Sequence, residues 1–177
     1  MDGREILTLG ALFHDIGKVV QKASDNPRQK THQEFGAEWI KNKFKTTPYE
    51  ELADFALYHH FTKDKRPELD ARSTYRNDIL LVAHADNLSA EEREEHKGKF
   101  DRSIPLKSIF SSVQNEKSLE PVFYKPKPLS DGIFYPRKEV KLTKEDYQKL
   151  FQGFEKALEG KAIAPDPMIK WTKLCLM

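Results

Sequence analysis

Apolar positions recur at helical spacing through the first hundred residues. Between Ile6 and Val20, the residues Leu9, Phe13, Ile16 and Val20 follow at steps of four, three and four, the stripe of one amphipathic helix. The segment 24–31, SDNPRQKT, is polar, and Pro27 bars a continuous helix through it. A second helix is expected from His32 to Phe44, carrying Phe35, Trp39 and Ile40. Thr47-Pro48 followed by Glu50-Glu51 is a helix start: a capping hydroxyl, a proline in the first turn, then acids at the positive dipole end. This third helix is expected to reach His60. Residues 61–74 are polar, contain Pro67 and read as a loop. A fourth helix fits Tyr75 to His96, ending in the solvated run EEREE.

The pattern then changes. Five of the ten prolines lie between Pro105 and Pro136, which is incompatible with a long helix there. Short extended pieces such as Ile133–Tyr135 are expected instead. Thr143 caps a final helix over 144–158, with Tyr147, Leu150, Phe154 and Leu158 at helical steps, and Asp146 can close a capping-box pair with Thr143. The fold class is mainly α: a helical domain over 1–100, then a Pro-rich linker and a short mixed α/β segment over 101–177.

Composition sharpens this only in part. A length of 177 residues suits one domain, or one domain with part of a second. With 30 Lys+Arg against 28 Asp+Glu, the formal charge of +2 neither demands nor excludes nucleic acid. Locally, Lys18, Lys22, Arg28, Lys30, Lys41, Lys43 and Lys45 outnumber Asp25, Glu34 and Glu38 between positions 18 and 45. With Tyr58, Phe61 and Tyr75 nearby in sequence, that mix suits a phosphate backbone and stacked bases; a solvated face with core aromatics is the plainer alternative. The one cysteine, Cys175, excludes an intrachain disulfide and fits a reducing, cytoplasmic setting. No run of about 18 apolar residues exists, so no membrane span is expected, and the N-terminus does not read as a signal peptide.

The chemistry concentrates in the helical section. Five of the six histidines fall between positions 14 and 84, as His14-Asp15, His32, His59-His60 and His84-x-Asp86. They are flanked by apolar residues, and burying one unpaired polar group costs roughly 2–7 kcal/mol. A metal ion would satisfy many of them at once, and imidazole with carboxylate suits Mn, Fe, Co, Ni or Zn. Neighbours on a helix point about 100° apart, so His14 and Asp15 would straddle an edge, each serving a different ion or with Asp15 bridging two; the same holds for His59 and His60. His84 and Asp86 differ by roughly 200°, so at most one of them is expected at the site. Asp86 is favoured because a carboxylate completes the donor set, which leaves His84 to pack or to support from behind.

The plainer readings are an ordinary helix ion pair for His14-Asp15, a cap-region residue for His32, dipole stabilisation for His59 or His60, a salt-bridge carboxylate for Asp86 and a solvated Lys18. For His14-Asp15, the four further ligand-type residues that follow in order favour metal binding over an ion pair.

The stretch GALFHDIGK resembles the signature of the HD phosphohydrolase superfamily. More narrowly, HDIGKVVQKA, HQEFGAEWI, YHH and HADNLSAEER, in that order, resemble the large subunit of type III-A CRISPR interference complexes. The likeness continues through IPLKSIFSSV, YKPKPLSDGIFYPRKE and LTKEDYQKLFQGFEKAL, covering about residues 5–158. It implies a circularly permuted HD-type helical domain that leads toward a palm-like domain. It further implies a metal-dependent nuclease acting on single-stranded DNA inside a ribonucleoprotein, with guide RNA and other subunits as partners. By matching position, His14 and Asp15 are the His-Asp pair, His32 the single downstream histidine, His59 and His60 the tandem pair, and Asp86 the distal aspartate. The Gly-Gly-Asp-Asp motif of the family's palm-like domains does not occur in this sequence, so cyclic oligoadenylate synthesis is not assigned. The last residues, PDPMIKWTKLCLM, match no part of the family.

The expected cofactor is a divalent metal, one or two ions of Mn, Ni, Co or Mg. The expected ligands are His14, Asp15, His32, His59, His60 and Asp86, with Asp15 as the bridge between two ions. Lys18, four residues after His14, is expected to hold a substrate phosphate and to join His14 and Asp15 in catalysis, with Lys22, Arg28 and Lys30 on the strand. Two alternatives stand: an HD phosphohydrolase acting on nucleotides or cyclic dinucleotides, and a structural arm of the complex steadied by metal.

Overall fold

The computed structural model of the chain describes residues 3–60, 69, 74–90, 103, 105–107, 121–127 and 135–159. The chain forms two compact units, Met1–Gln21 with Asp25–Lys97, and Lys22–Ser24 with Gly98–Met177. No helix among the described residues is long and apolar enough to cross a membrane.

The first unit is helical. Its described elements are α1 (Gly3–Phe13), α2 (Ile16–Ala23, whose last residues belong to the second unit), α3 (His32–Lys43), α4 (Leu52–Tyr58) and α5 (Arg76–Ala90). Helix α1 buries Ile6, Leu9, Gly10 and Phe13, the i, i+3, i+4, i+7 set of a one-sided helix. Helix α4 buries Leu52, Ala53, Phe55, Ala56 and Tyr58, so it is apolar nearly all round and lies at the centre, against α1, α3 and α5. Phe13, Trp39, Phe44 and Tyr49 form an aromatic cluster, with ring centroids 6.0–6.2 Å apart. Tyr49 Oη donates to Glu5 Oε1 at 2.8 Å; burial and that carboxylate push the phenol up to about 12.

Local chemistry sets several helix ends. Thr31 caps α3: its side chain accepts from Glu34 N, while Glu34 reaches back to the Thr31 backbone N–H at 2.7 Å. Thr47 caps a short 3-10 turn, Pro48–Glu51, which hands over to α4.

Three features depart from the periodicity. The helix expected from Ile6 to Val20 is two helices, broken at His14-Asp15. The break lets α1 lie on α4 while α2 turns to press Gly17 against the backbone of α3 at His32 and Gly36. The third helix opens as a 3-10 turn and ends at Tyr58, leaving His59 and His60 in the following turn. The fourth runs Arg76–Ala90; residues 91–96, where it was expected to continue, lie outside the described residues.

In the second unit, β1 (Leu106–Lys107) pairs antiparallel with β2 (Phe123–Tyr124), matching Leu106 to Tyr124 and Lys107 to Phe123. Phe123 also exchanges backbone hydrogen bonds with Arg137 at 2.8 and 2.9 Å. The expected extended piece Ile133–Tyr135 lies outside the described residues except for Tyr135, which is exposed; the 165–177 tail lies outside them entirely. Helix α6 (Lys144–Leu158) carries the capping box foreseen between Thr143 and Asp146. Its small core is Ala23, Leu142 and Tyr147, with Val140 and Phe151 against it. Lys22 Nζ lies 3.2 Å from Tyr147 Oη and 5.0 Å from the ring centroid.

Candidate metal centre

The break between α1 and α2 puts His14 and Asp15 side by side in the first unit. Neither residue is held to the 100° step of a helix, so His14 Nε2 comes to 3.6 Å from Asp15 Oδ2. The expectation that the pair cannot share one face closely is thereby corrected, while the alternative in which Asp15 serves two groups stays open. The turn after α4 does the same for His59 and His60, whose ring centroids are 4.2 Å apart.

Two groups of donor atoms result. Asp15, His32, His59 and His60 each offer one donor atom within 4.8 Å of the others, and so do His14, Asp15 and Asp86. Asp15 belongs to both. Its Oδ1 lies 3.3 Å from His59 Nε2 and 3.8 Å from His32 Nε2. Asp86 Oδ1 lies 3.8 Å from His14 Nε2 and its Oδ2 lies 3.6 Å from His60 Nε2. All six residues that the spacing and the resemblance nominated therefore meet in one pocket.

Backbone carbonyls orient two of the imidazoles. His14 Nδ1 donates to Ala11 O at 2.7 Å, and His59 Nδ1 donates to Ala56 O at 2.9 Å. A carbonyl only accepts, so Nδ1 carries the proton in both and each Nε2 turns its lone pair to the cluster, as a metal ligand must. The sequence reading missed this support, although the three-residue step back into the preceding helix end was its visible signal.

The electrostatics keep the donors bare. Burial, then repulsion from His59, pushes the His32 imidazole down to about 4. The same two causes lower His60, against the opposing pull of Asp86. Burial alone would raise the Asp15 carboxyl, but the His59 ring beside it and the hydrogen bond and charge of Lys18 outweigh that and hold it well below the usual carboxylate range. His59 is fully buried, and His32 Nε2 lies 3.4 Å from His59 Nε2. Two imidazole nitrogens that close need a proton or a cation between them. His14 Nε2 and Asp15 Oδ1 are buried and make no hydrogen bond among the described residues. Orphaned polar atoms of this kind are costly, and a divalent ion would satisfy them together. The donor set thus fits such an ion.

Other nominated residues have different surroundings. Lys18 Nζ lies 2.5 Å from Asp15 Oδ2. Lys30 pairs with Glu38 at 2.6 Å, and Arg28 is exposed. Tyr58 is buried in the core, so base stacking on it is ruled out; Phe61 lies outside the described residues. His84 is exposed, not packed as expected, because the roughly 200° between it and Asp86 turns it away from the pocket. Beside His14 and Asp86 opens a groove of about 410 Å³, walled by Leu7, Ala11, Leu81, Val82 and Ala85, with Ser89 its one other polar residue.

The comparisons with known proteins agree with this geometry. The family model described as HD domain matches residues 2–91, half of the chain. The "CRISPR system single-strand-specific deoxyribonuclease Cas10/Csm1 (subtype III-A)" of Methanocaldococcus jannaschii is 36% identical over 171 residues, which covers 84% of this chain and 20% of that protein. Its Enterococcus italicus counterpart is 28% identical, covering 94% of this chain and 24% of that protein. The crystal structure of Csm1 from T. onnurineus superposes with a TM-score of 0.59 at 23% identity, over 96% of this chain and 23% of that one. The chain thus spans about a fifth to a quarter of the length of these relatives. A family match across the whole helical unit, with the His-Asp pair at a helix break among four more donors, shows that the chain belongs to the HD domain family.

Proposed function

We propose that the chain hydrolyses phosphodiester bonds in single-stranded DNA, as the HD nuclease part of a type III-A CRISPR effector subunit. The observation that carries this reading is the sharing of Asp15 by two donor groups. A carboxylate with two oxygens is the natural bridge between two divalent ions. His32, His59 and His60 would hold one ion, and His14 with Asp86 the other. When bound, such ions supply positive charge for the attacking and leaving oxygens of an in-line displacement at phosphorus.

The chain's own residues do the rest. The Ala11 and Ala56 carbonyls keep the His14 and His59 lone pairs aimed inward. His32 and His60, held neutral by burial, need no deprotonation to bind near neutral pH. Lys18 holds a substrate phosphate as a point charge, and Lys22, Arg28 and Lys30 supply charge to the strand's backbone. The exposed Lys30–Glu38 pair is worth at most about 1 kcal/mol, so a phosphate can replace it.

The alternative substrate, a nucleotide or cyclic dinucleotide, would use the same donors. The groove beside His14 and Asp86 favours the strand: apolar walls accept any base without reading its edges. The relatives' name supports a place in a type III-A CRISPR system, and their greater length supports reading this chain as one part of a larger subunit. The finer reading, which rests on the resemblance of the motifs, is a permuted domain over 1–100 with 101–177 as a linker into a palm-like domain of a cytoplasmic subunit that works with guide RNA and partner subunits.

The test is cleavage of an end-labelled single strand with Mn²⁺, Ni²⁺, Co²⁺ or Mg²⁺. Asp15→Asn removes charge from both donor groups and should cost more than ~100-fold in rate. Unchanged cleavage in that variant would remove the assignment. Stabilisation by metal with no cleavage of any phosphodiester would support the structural-arm reading instead.

A further inference from the structure

We propose that Gly17, with Gly36 opposite it, is a positioning residue of the metal centre: the missing side chains set the separation of α2 and α3 that brings Asp15 to His32. The inference rests on the reading of this cluster as a metal centre. A Cβ added at Gly17 would overlap the His32 carbonyl oxygen and would lie 2.7 Å from Gly36 N and 2.8 Å from the His32 carbonyl carbon. These are backbone atoms, which cannot swing aside as a side chain can. A Cβ at Gly36 would lie 3.1 Å from Gly17 N and 3.3 Å from Gly17 Cα, and 3.2 Å from Ala56 Cβ on α4. The two glycines therefore face each other, and the contact is backbone on backbone.

The placement gives the contact its consequence. Gly17 follows Asp15 by two residues, and the carbonyl it would strike belongs to His32 itself. Normal contact distances would require α2 and α3 to separate by on the order of 1 Å. Ligand distances at a metal tolerate about 0.2 Å. A single methyl group at Gly17 thus moves His32 and Asp15 apart by several times what a shared ion allows. At Gly10 an added Cβ would meet the Phe55 side chain, so that glycine serves the core instead.

The experiment is a Co²⁺ titration of the full chain, followed by visible absorption, with circular dichroism to check folding. Gly17→Ala should weaken Co²⁺ binding 10–100-fold, with the absorption bands appearing only at correspondingly higher Co²⁺. Gly36→Ala, whose clash is milder, should weaken binding several-fold, and it decides the matter if Gly17→Ala does not fold. Ile40→Val, a core change on α3 away from the donors, should bind Co²⁺ as the parent does. The proposal is overturned if a folded Gly17→Ala or Gly36→Ala chain binds Co²⁺ like the parent, or if Ile40→Val weakens binding equally. A parent chain that binds no Co²⁺ would overturn the metal-centre reading itself.

Discussion

Helices α3 and α6 start with the same device and end in different surroundings. Thr31 and Glu34 cap the first; Thr143 and Asp146 cap the second. Helix α3 buries Gly36, Ala37, Trp39 and Ile40, four residues in two turns. Helix α6, longer at 15 residues, buries only Tyr147 and Leu158. Helix α3 therefore owes its place to tertiary packing, and that packing holds His32 at the donor cluster. Helix α6 owes more to its cap and its own amphipathic pattern. A cap says where a helix begins; the buried face says whether the helix can carry a site that must be accurate to a fraction of an ångström.

The sharpest way to break the comparison is to damage each core in turn. Phe55→Ala, at the centre of the first unit, should cost about 3–5 kcal/mol in urea denaturation, while Leu142→Ala in the smaller core of the second should cost about 2 kcal/mol. Equal costs would mean that the second unit is packed as tightly as the first.

Acid should separate the units next. His32 is pushed down to about 4 in the folded chain, against an ordinary value of 6.5. Between those values the unfolded chain takes up a proton that the folded chain refuses, so stability rises with pH across that window and is lost as pH falls through it. His60 acts in the same direction. In the second unit, hydrogen bonds from Lys125 and from the Thr143 backbone and side chain hold the partly buried Asp146 carboxyl below its ordinary 3.8. Its smaller contribution is lost only at more acid pH. Residue-resolved hydrogen exchange on the metal-free chain should show α3 and α4 losing protection first, and His32→Gln should flatten that loss. Simultaneous loss in α6 at the same pH would contradict this.

The smallest effects should be alike in both units. Thr31→Ala and Thr143→Ala should each cost about 1 kcal/mol, because a cap bond is local. Thr31→Ala should in addition weaken metal binding, since the next residue is His32; Thr143→Ala should leave it untouched.

Local features were readable from the chain itself. The stripe Leu9, Phe13 announced a buried face, and Thr143 with Asp146 announced the start of α6 to the residue, since a capping box lies within four positions. The six donor residues were legible because their types and order limit the chemistry open to them. The break at His14-Asp15 was not. Leu9 to Val20 keeps helical spacing across it, so periodicity reports a single helix where packing makes two. The 3-10 turn at Pro48 has the same origin, since cap and proline mark a start without choosing between i→i+3 and i→i+4 bonds. Tyr58 stood open between base stacking and the core, and its burial decides for the core, because α4 is enclosed on nearly every side.

What the amino-acid sequence settled alone was the helical class, the capped start of α6, and a set of imidazoles and carboxylates suited to divalent cations. Each depends on neighbours within a few residues or on the chemistry of one side chain. What only the tertiary structure decided was that Asp15 stands between two donor groups, that His84 is left out, and that Gly17 must be bare for His32 to come close. Those outcomes depend on distances between segments up to 72 positions apart, from His14 to Asp86, and such distances are set by how helices pack, which no local pattern encodes.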